Sequence, residues 1–172
     1  MTGFTPADLA RFIAERGIAA ELIPMHVETP TVPAAAAALG VAPGQIIKSL
    51  LFLVRDEPVL VIASGDAPVD RAVLAARFGV GKKQVRLADA ETVLRLIGYP
   101  VGGVPPFGHV THVPVLLDVA VQRWDVIYGG GGDDRTLLRV APAELARVTK
   151  AEWILLNDSG PTDLVRSNVP GM

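Results

Sequence analysis

The chain contains no cysteine. That removes disulfides, thiolate metal sites and a cysteine nucleophile together. Aromatic residues are scarce, at 5%. No apolar run approaches the roughly 18–20 residues of a membrane-spanning helix; the longest lie at 32–39 and 50–54. The N-terminus has no basic start followed by an apolar stretch, so no signal peptide and no membrane partner are expected, and the expected location is the cytoplasm. Positive charge is not in excess: Lys+Arg is 16 against Asp+Glu 18, a net charge of -2. This excludes a broad basic coat for DNA or RNA but leaves room for a local patch. A Gly-x-Ser-x-Gly elbow is missing, so a serine-hydrolase site lacks its nucleophile. Lysine is rare too. Of the 16 basic residues only Lys48, Lys82, Lys83 and Lys150 are lysines, the rest being arginine.

What is present is the composition of one globular domain: 172 residues, 50% hydrophobic and 20% charged. Residues 1–157 read as that domain and 158–172 as a loose polar tail. A helix is expected over 5–17, with Thr5 as cap and Pro6 at its first position. A second helix should start at Pro33 and stop at Gly40. Residues 45–54 and 59–63, separated by the turn 55–58, predict a hairpin of buried strands. Helices follow over 69–78 and from the Asp89 cap to 97, and again over 142–149. Further strands are expected at 85–87, 113–117, 125–128, 136–140 and 153–156, with a helical turn at 119–123. Helices and strands alternate, yet several strand pairs are joined by tight turns. That pattern predicts an α/β (α+β-like) domain with a mixed, partly closed barrel-like sheet and helices around it.

Few residues carry chemistry. Lys48 stands in Ile46-Ile47-Lys48-Ser49-Leu50-Leu51-Phe52, with no acidic neighbour in the strand. Two-residue periodicity puts it on the face of Leu50 and Phe52. Either it points into a pocket and meets a phosphate or carbonyl oxygen, or it snorkels to solvent from the strand's start. The segment Gly102-Gly103-Val104-Pro105-Pro106-Phe107-Gly108-His109 pairs glycines, which let backbone approach a ligand, with stiffening prolines. It is neither a Walker loop nor a dinucleotide fingerprint, and a purely structural turn is the simpler reading. Gly129 to Gly132, followed by Asp133 and Asp134, either frames a small pocket whose Asp pair meets a substrate amine or a cation, or, as the simpler reading, forms a flexible hairpin loop with an acidic tip. His109 and His112 lack a carboxylate to complete a zinc site, so no metal and no cofactor are expected. Asp118 either caps the next turn or lines a pocket. A positioned lysine, backbone donors and a glycine-shaped cavity suit a reaction in which the substrate or water supplies the nucleophile while the protein orients and polarises.

These stretches resemble the YbaK/prolyl-tRNA synthetase-associated domain family, free-standing relatives of the editing domain of prolyl-tRNA synthetase. The likeness is carried by the alanine-rich helix at 34–39 with Gly40-Val41, by Lys48-Ser49-Leu50, by residues 70–79 with Lys82-Lys83, and by Gly98-Tyr99-Pro100-Val101-Gly102-Gly103 with Leu117-Asp118. The resemblance implies a single editing domain and an enzyme, an aminoacyl-tRNA deacylase acting in trans on a mischarged small amino acid, with tRNA(Pro) the expected carrier. It maps the catalytic lysine onto Lys48 and the orienting glycine backbone onto Gly102 and Gly103. It puts Ser49, Pro105, Phe107, Gly108, Asp118, Gly130 and Gly131 around the substrate. Lys82, Lys83 and Arg86 are either contacts for the phosphates of the acceptor stem or a solvated basic turn, and a prolyl-tRNA synthetase is a candidate partner. The sequence departs from the family after the Ile127-Tyr128 strand, where four glycines and Asp133-Asp134 replace a small polar residue or His followed by Gly and Arg. Two other readings stand beside this one: a non-catalytic module that binds aminoacyl-tRNA or a nucleotide or docks on a synthetase, and a hydrolase of another small acyl ester.

Overall fold

The hairpin at the centre of the domain is made by two residues. Arg55 and Asp56 both adopt left-handed backbone, with φ of 48° and 66°, the conformation whose twist matches that of paired strands. They join β2 (Ile47–Val54) to β3 (Glu57–Ser64). The turn is shorter than the four residues expected, because Glu57 and Pro58 already pair with Val54 and Leu53. A computed structural model describes residues 2–157; the tail expected over 158–172 lies outside the described residues.

Among the described residues there are five α-helices and eight strands. Besides the hairpin they are α1 (Pro6–Glu15), β1 (Ala20–Pro24), α2 (Val32–Leu39), α3 (Arg71–Phe78), β4 (Val85–Leu87), α4 (Ala90–Ile97), β5 (Val115–Asp118), β6 (Ile127–Gly130), β7 (Thr136–Val140), α5 (Pro142–Thr149) and β8 (Glu152–Ile154). The strands form two sheets, a five-stranded one in the order β4-β2-β3-β5-β8 and a three-stranded one in the order β1-β7-β6. The larger sheet is mixed: β2 is antiparallel to β3 and β4, while β5 runs parallel to β3 and β8. The sheets meet at the start of β2, where Ile46 bridges Tyr128 and the Gln45 amide donates to the Val126 carbonyl at 3.3 Å. The expected barrel-like wrapping takes this form, two sheets joined at one corner and not closed.

The continuous apolar character of β2 and β3 follows from burial on both faces. Leu51, Leu53, Leu60 and Ile62 pack in one core with Ile97, Leu117 and Leu138. Phe52, Val54, Val59 and Val61 face the other way, against Leu74 and Ala75 of α3. Caps set the helix starts. Thr31 accepts from Ala34 N–H at 3.2 Å, so α2 starts earlier than Pro33. Asp70 accepts from Ala72 N–H at 2.9 Å, and Asp89 from Thr92 N–H at 2.8 Å. The last strand is displaced from the expected 153–156, since only Glu152, Trp153 and Ile154 find partners on β5. No helix among the described residues is long and apolar enough to cross a membrane.

Candidate functional site

A cavity of about 540 Å³ opens where the first half of β2, the start of α2, the β4–α4 junction and the end of β6 converge. That volume lies within the roughly 300–1,000 Å³ of small-molecule sites. Its walls are mainly apolar, with Val32, Ala35, Ile46, Leu51, Val93 and Val104 among them. Val101, 65% exposed, stands at its edge. Among the described residues, only two charged side chains border it, Lys48 and Asp66.

Lys48 is the second residue of β2 and pairs with Ala63. Its side chain is partly buried. Its Nζ donates to the Ala67 carbonyl at 2.8 Å, which fixes the ammonium on the cavity wall. Burial pushes its pKa below the usual lysine value, and the nearby Asp66 carboxylate opposes that shift. Ser49 follows on the opposite strand face and also borders the cavity.

Glycines from two segments also border the cavity. Gly102 (φ 96°) borders the cavity. Gly103 does not: its N–H donates to the Pro100 carbonyl at 3.1 Å, and its own carbonyl accepts from Gly132 N–H at 2.9 Å. A Cβ there would lie 2.6 Å from the Asp133 backbone. Gly103 is thus a packing glycine whose donor is already used, which removes the substrate-facing N–H expected of it.

Gly129 and Gly130 line the cavity as the last residues of β6, paired with Leu138 and Leu137. The four-glycine segment is therefore not the flexible loop its composition implied. A Cβ on Gly130 would sit 2.3 Å from the Val104 carbonyl oxygen, and one on Gly131 2.7 Å from Thr136 backbone. Gly131 is buried away from the cavity, its N–H donating to Thr136 O at 3.0 Å. These glycines permit the loop at 101–104 to lie directly on β6. At the expected acidic tip, Asp133 accepts from Arg135 N–H at 2.9 Å.

Pro105, Phe107 and Gly108 lie outside the cavity lining. The Phe107 ring is only 4% exposed and stacks on Phe12 of α1, centroids 5.9 Å apart. Gly108 (φ 81°) packs on Leu9 and Phe12. The Pro105 carbonyl takes a 2.7 Å hydrogen bond from His109 Nε2. A carbonyl only accepts, so Nε2 carries the hydrogen. Burial pushes the His109 pKa down, and the bond to Pro105 partly counters it. His109, by its sequence an incomplete zinc ligand, instead tethers this loop through a side-chain bond to the backbone four residues earlier, a contact that leaves no sequence pattern.

Asp118 is buried and also lies off the cavity. Its two oxygens accept from Ser64 N–H at 3.1 Å and Ala120 N–H at 3.0 Å, so it ties β5 to β3 and caps the 3₁₀ turn at Val119–Arg123. Burial raises its pKa while both backbone bonds lower it. Lys82 and Lys83 are exposed in the 3₁₀ turn before β4. Arg86 pairs with Asp56 at 3.0 Å on the surface. The next residue, Leu87, borders the cavity. No cluster of three or more His, Asp or Glu among the described residues offers a metal site.

Asp66 lies in the loop between β3 and α3, within no sequence motif. The hairpin register sets Ser64 opposite Ile47, so counting from a two-residue turn at 55–56 would have put residue 66 beside the Lys48 end of the sheet.

With this geometry in place, the comparisons agree. Residues 26–148 match the aminoacyl-tRNA editing domain. The protein YwhH of Bacillus subtilis is 31% identical over 131 residues, covering 75% of this chain and 82% of that protein. The proline–tRNA ligase of Thermotoga neapolitana is 35% identical over 98 residues, 57% of this chain but 16% of the ligase. A crystal structure described as that of a candidate trans-editing enzyme for prolyl tRNA synthetase superposes with a TM-score of 0.82 at 31% identity, covering 90% of this chain and 97% of the other. The chain belongs to the aminoacyl-tRNA editing domain family, a group whose matches here include both small stand-alone chains and segments of much larger ligases.

Proposed function

We propose that this protein hydrolyses, in trans, the ester that joins a mischarged small amino acid to the 3′ end of a tRNA. The observation that carries this reading is the Lys48 ammonium, held by the Ala67 carbonyl on the wall of a largely apolar cavity. The family match and the superposition on a candidate trans-editing enzyme support it, and the proline–tRNA ligases among the relatives make tRNA(Pro) the first carrier to test.

In the reaction, a water oxygen adds to the ester carbonyl carbon and the bond to the ribose oxygen breaks. The departing ribose oxygen takes up the proton that the water gives up, and the water oxygen stays in the carboxyl group of the free amino acid. Lys48 acts by charge, facing the ester carbonyl or the adjacent phosphate. The Gly102 backbone shapes part of the wall. The Gly103 N–H is already donated to Pro100, and Asp118 lies off the cavity with each oxygen holding a backbone N–H, so both support the site from behind. Attack by water or with help from the substrate's own groups then requires positioning and not a protein nucleophile. An apolar pocket separates side chains differing by one methylene by only about 1–3 kcal/mol, so the preferred amino acid is a matter for measurement. The phosphates of the acceptor end would run past Leu87 toward Lys82, Lys83 and Arg86. On this reading the protein works in the cytoplasm beside a prolyl-tRNA synthetase, as one domain over 1–157.

A panel of alanyl-, cysteinyl- and seryl-tRNAs incubated with the purified protein tests the reading. Release of amino acid from at least one, abolished in Lys48→Ala with an unchanged circular dichroism spectrum, is expected. Binding without turnover across the panel would overturn it in favour of a recognition module. Turnover of small esters with no need for tRNA would favour the other hydrolase reading.

A further inference from the structure

The deacylase reading uses one of the two charges on the cavity wall and leaves Asp66 without a role. This residue lies in the connection between β3 and α3, and its backbone is held on both sides. Ser64 Oγ donates to Gly44 O at 2.6 Å, and Gly65 N–H to Ile46 O at 2.8 Å. Beyond it, Ala67 O accepts from Lys48 at 2.8 Å, and Asp70 caps α3. Among the described residues, the ion pairs involve other carboxylates, of Asp8, Glu152, Asp56, Glu28 and Glu144, and none involves Asp66. It is the one carboxylate among the described residues bordering the cavity, as Lys48 is the one cation.

An amino acid esterified through its carboxyl keeps a single charged group, its α-ammonium. An apolar wall cannot replace the hydration of that cation, and leaving it unpaired is costly. A carboxylate at the wall can, through a short charge-assisted hydrogen bond. We infer that Asp66 receives the α-ammonium of the bound aminoacyl ester, so that the site accepts esters with a free α-amino group and rejects N-acylated ones such as peptidyl or formyl esters. This inference rests on the proposed deacylase activity.

The fastest substrate of the panel above is compared with its N-acetylated form, using wild type, Asp66→Asn and Asp66→Glu. Wild type is expected to favour the free amine by about 10–100-fold in kcat/KM, the range that one hydrogen bond to a charged group supplies. In Asp66→Asn that ratio should fall toward one, and Asp66→Glu should restore part of it. A ratio that persists in Asp66→Asn, or equal losses on both substrates, overturns the inference; equal losses would mean that Asp66 acts only through Lys48 or the loop. If the wild type turns over nothing, the deacylase reading fails by itself, and the Asp66 assignment is read by binding. The probes are 3′-alanylamino-3′-deoxyadenosine and its N-acetyl derivative, measured by calorimetry. Tighter binding of the free amine, lost in Asp66→Asn, would uphold the assignment. Equal binding of the two would overturn it.

Discussion

The two halves of the segment at 98–109 use similar residues for opposite ends. Val101, Gly102 and Val104 border the cavity, while Phe107 and Gly108 pack onto α1 and His109 tethers the Pro105 carbonyl. One half presents a surface to a ligand and the other holds it there. The difference teaches that a glycine-proline motif divides into a facing part and an anchoring part, and that only the facing part is expected to change chemistry when altered.

The largest effect should come from the anchor. Phe107→Ala leaves a void under α1 and should cost about 3–5 kcal/mol of stability, read as a drop in the denaturation midpoint. If stability holds and only turnover falls, the division between the halves is wrong. Lys48→Ala should act the other way, with kcat/KM reduced by about 100-fold or more, the scale on which removing an electrostatic stabiliser acts, and thermal midpoint unchanged. Gly130→Ala should injure both properties, because its Cβ would meet the Val104 carbonyl oxygen at 2.3 Å; an overpacking penalty of about 1–3 kcal/mol should accompany loss of activity. Retained activity would show that the loop can move off β6.

His109 makes the anchor sensitive to pH. Burial sets its folded pKa below the ordinary 6.5. The unfolded chain therefore takes up the proton first as pH falls, and the stability present above pH 6.5 is lost progressively below it, by at most about 1.4 kcal/mol per pH unit. His109→Gln should flatten the fall of the thermal midpoint between pH 7 and 5; an unchanged slope would remove His109 from that role. The smallest effect belongs to the surface. Lys82→Glu with Lys83→Glu should weaken tRNA binding and reduce its dependence on salt while leaving the fold alone. An unaltered salt slope would take this turn out of the RNA path.

Much of the fold was legible. The limits of α5, of β4, of β7 and of the 3₁₀ turn at Val119–Arg123 coincide with the expected ones, because local capping, proline and alternation signals agree there. The site was legible in its most unusual member, since a lysine in an arginine-rich chain and an apolar strand stands out. It was less legible in the glycines. Composition alone makes Gly129 to Gly132 a loop, whereas the neighbouring backbone of Val104 and Thr136 makes it a strand end. Gly102 and Gly103 are adjacent and identical in type, yet one borders the cavity and the other is locked between Pro100 and Gly132.

By itself, then, the sequence determined the elements other than β1, their order, the family and the residue most fit for a charged role, since each rests on short-range pattern and residue type. The tertiary structure decided which glycines border the cavity, that Asp118 caps a turn, that His109 tethers a loop and that Asp66 borders the same cavity as Lys48. Those outcomes depend on contacts between segments tens of residues apart, where close approach of backbone selects among residues that look alike in sequence.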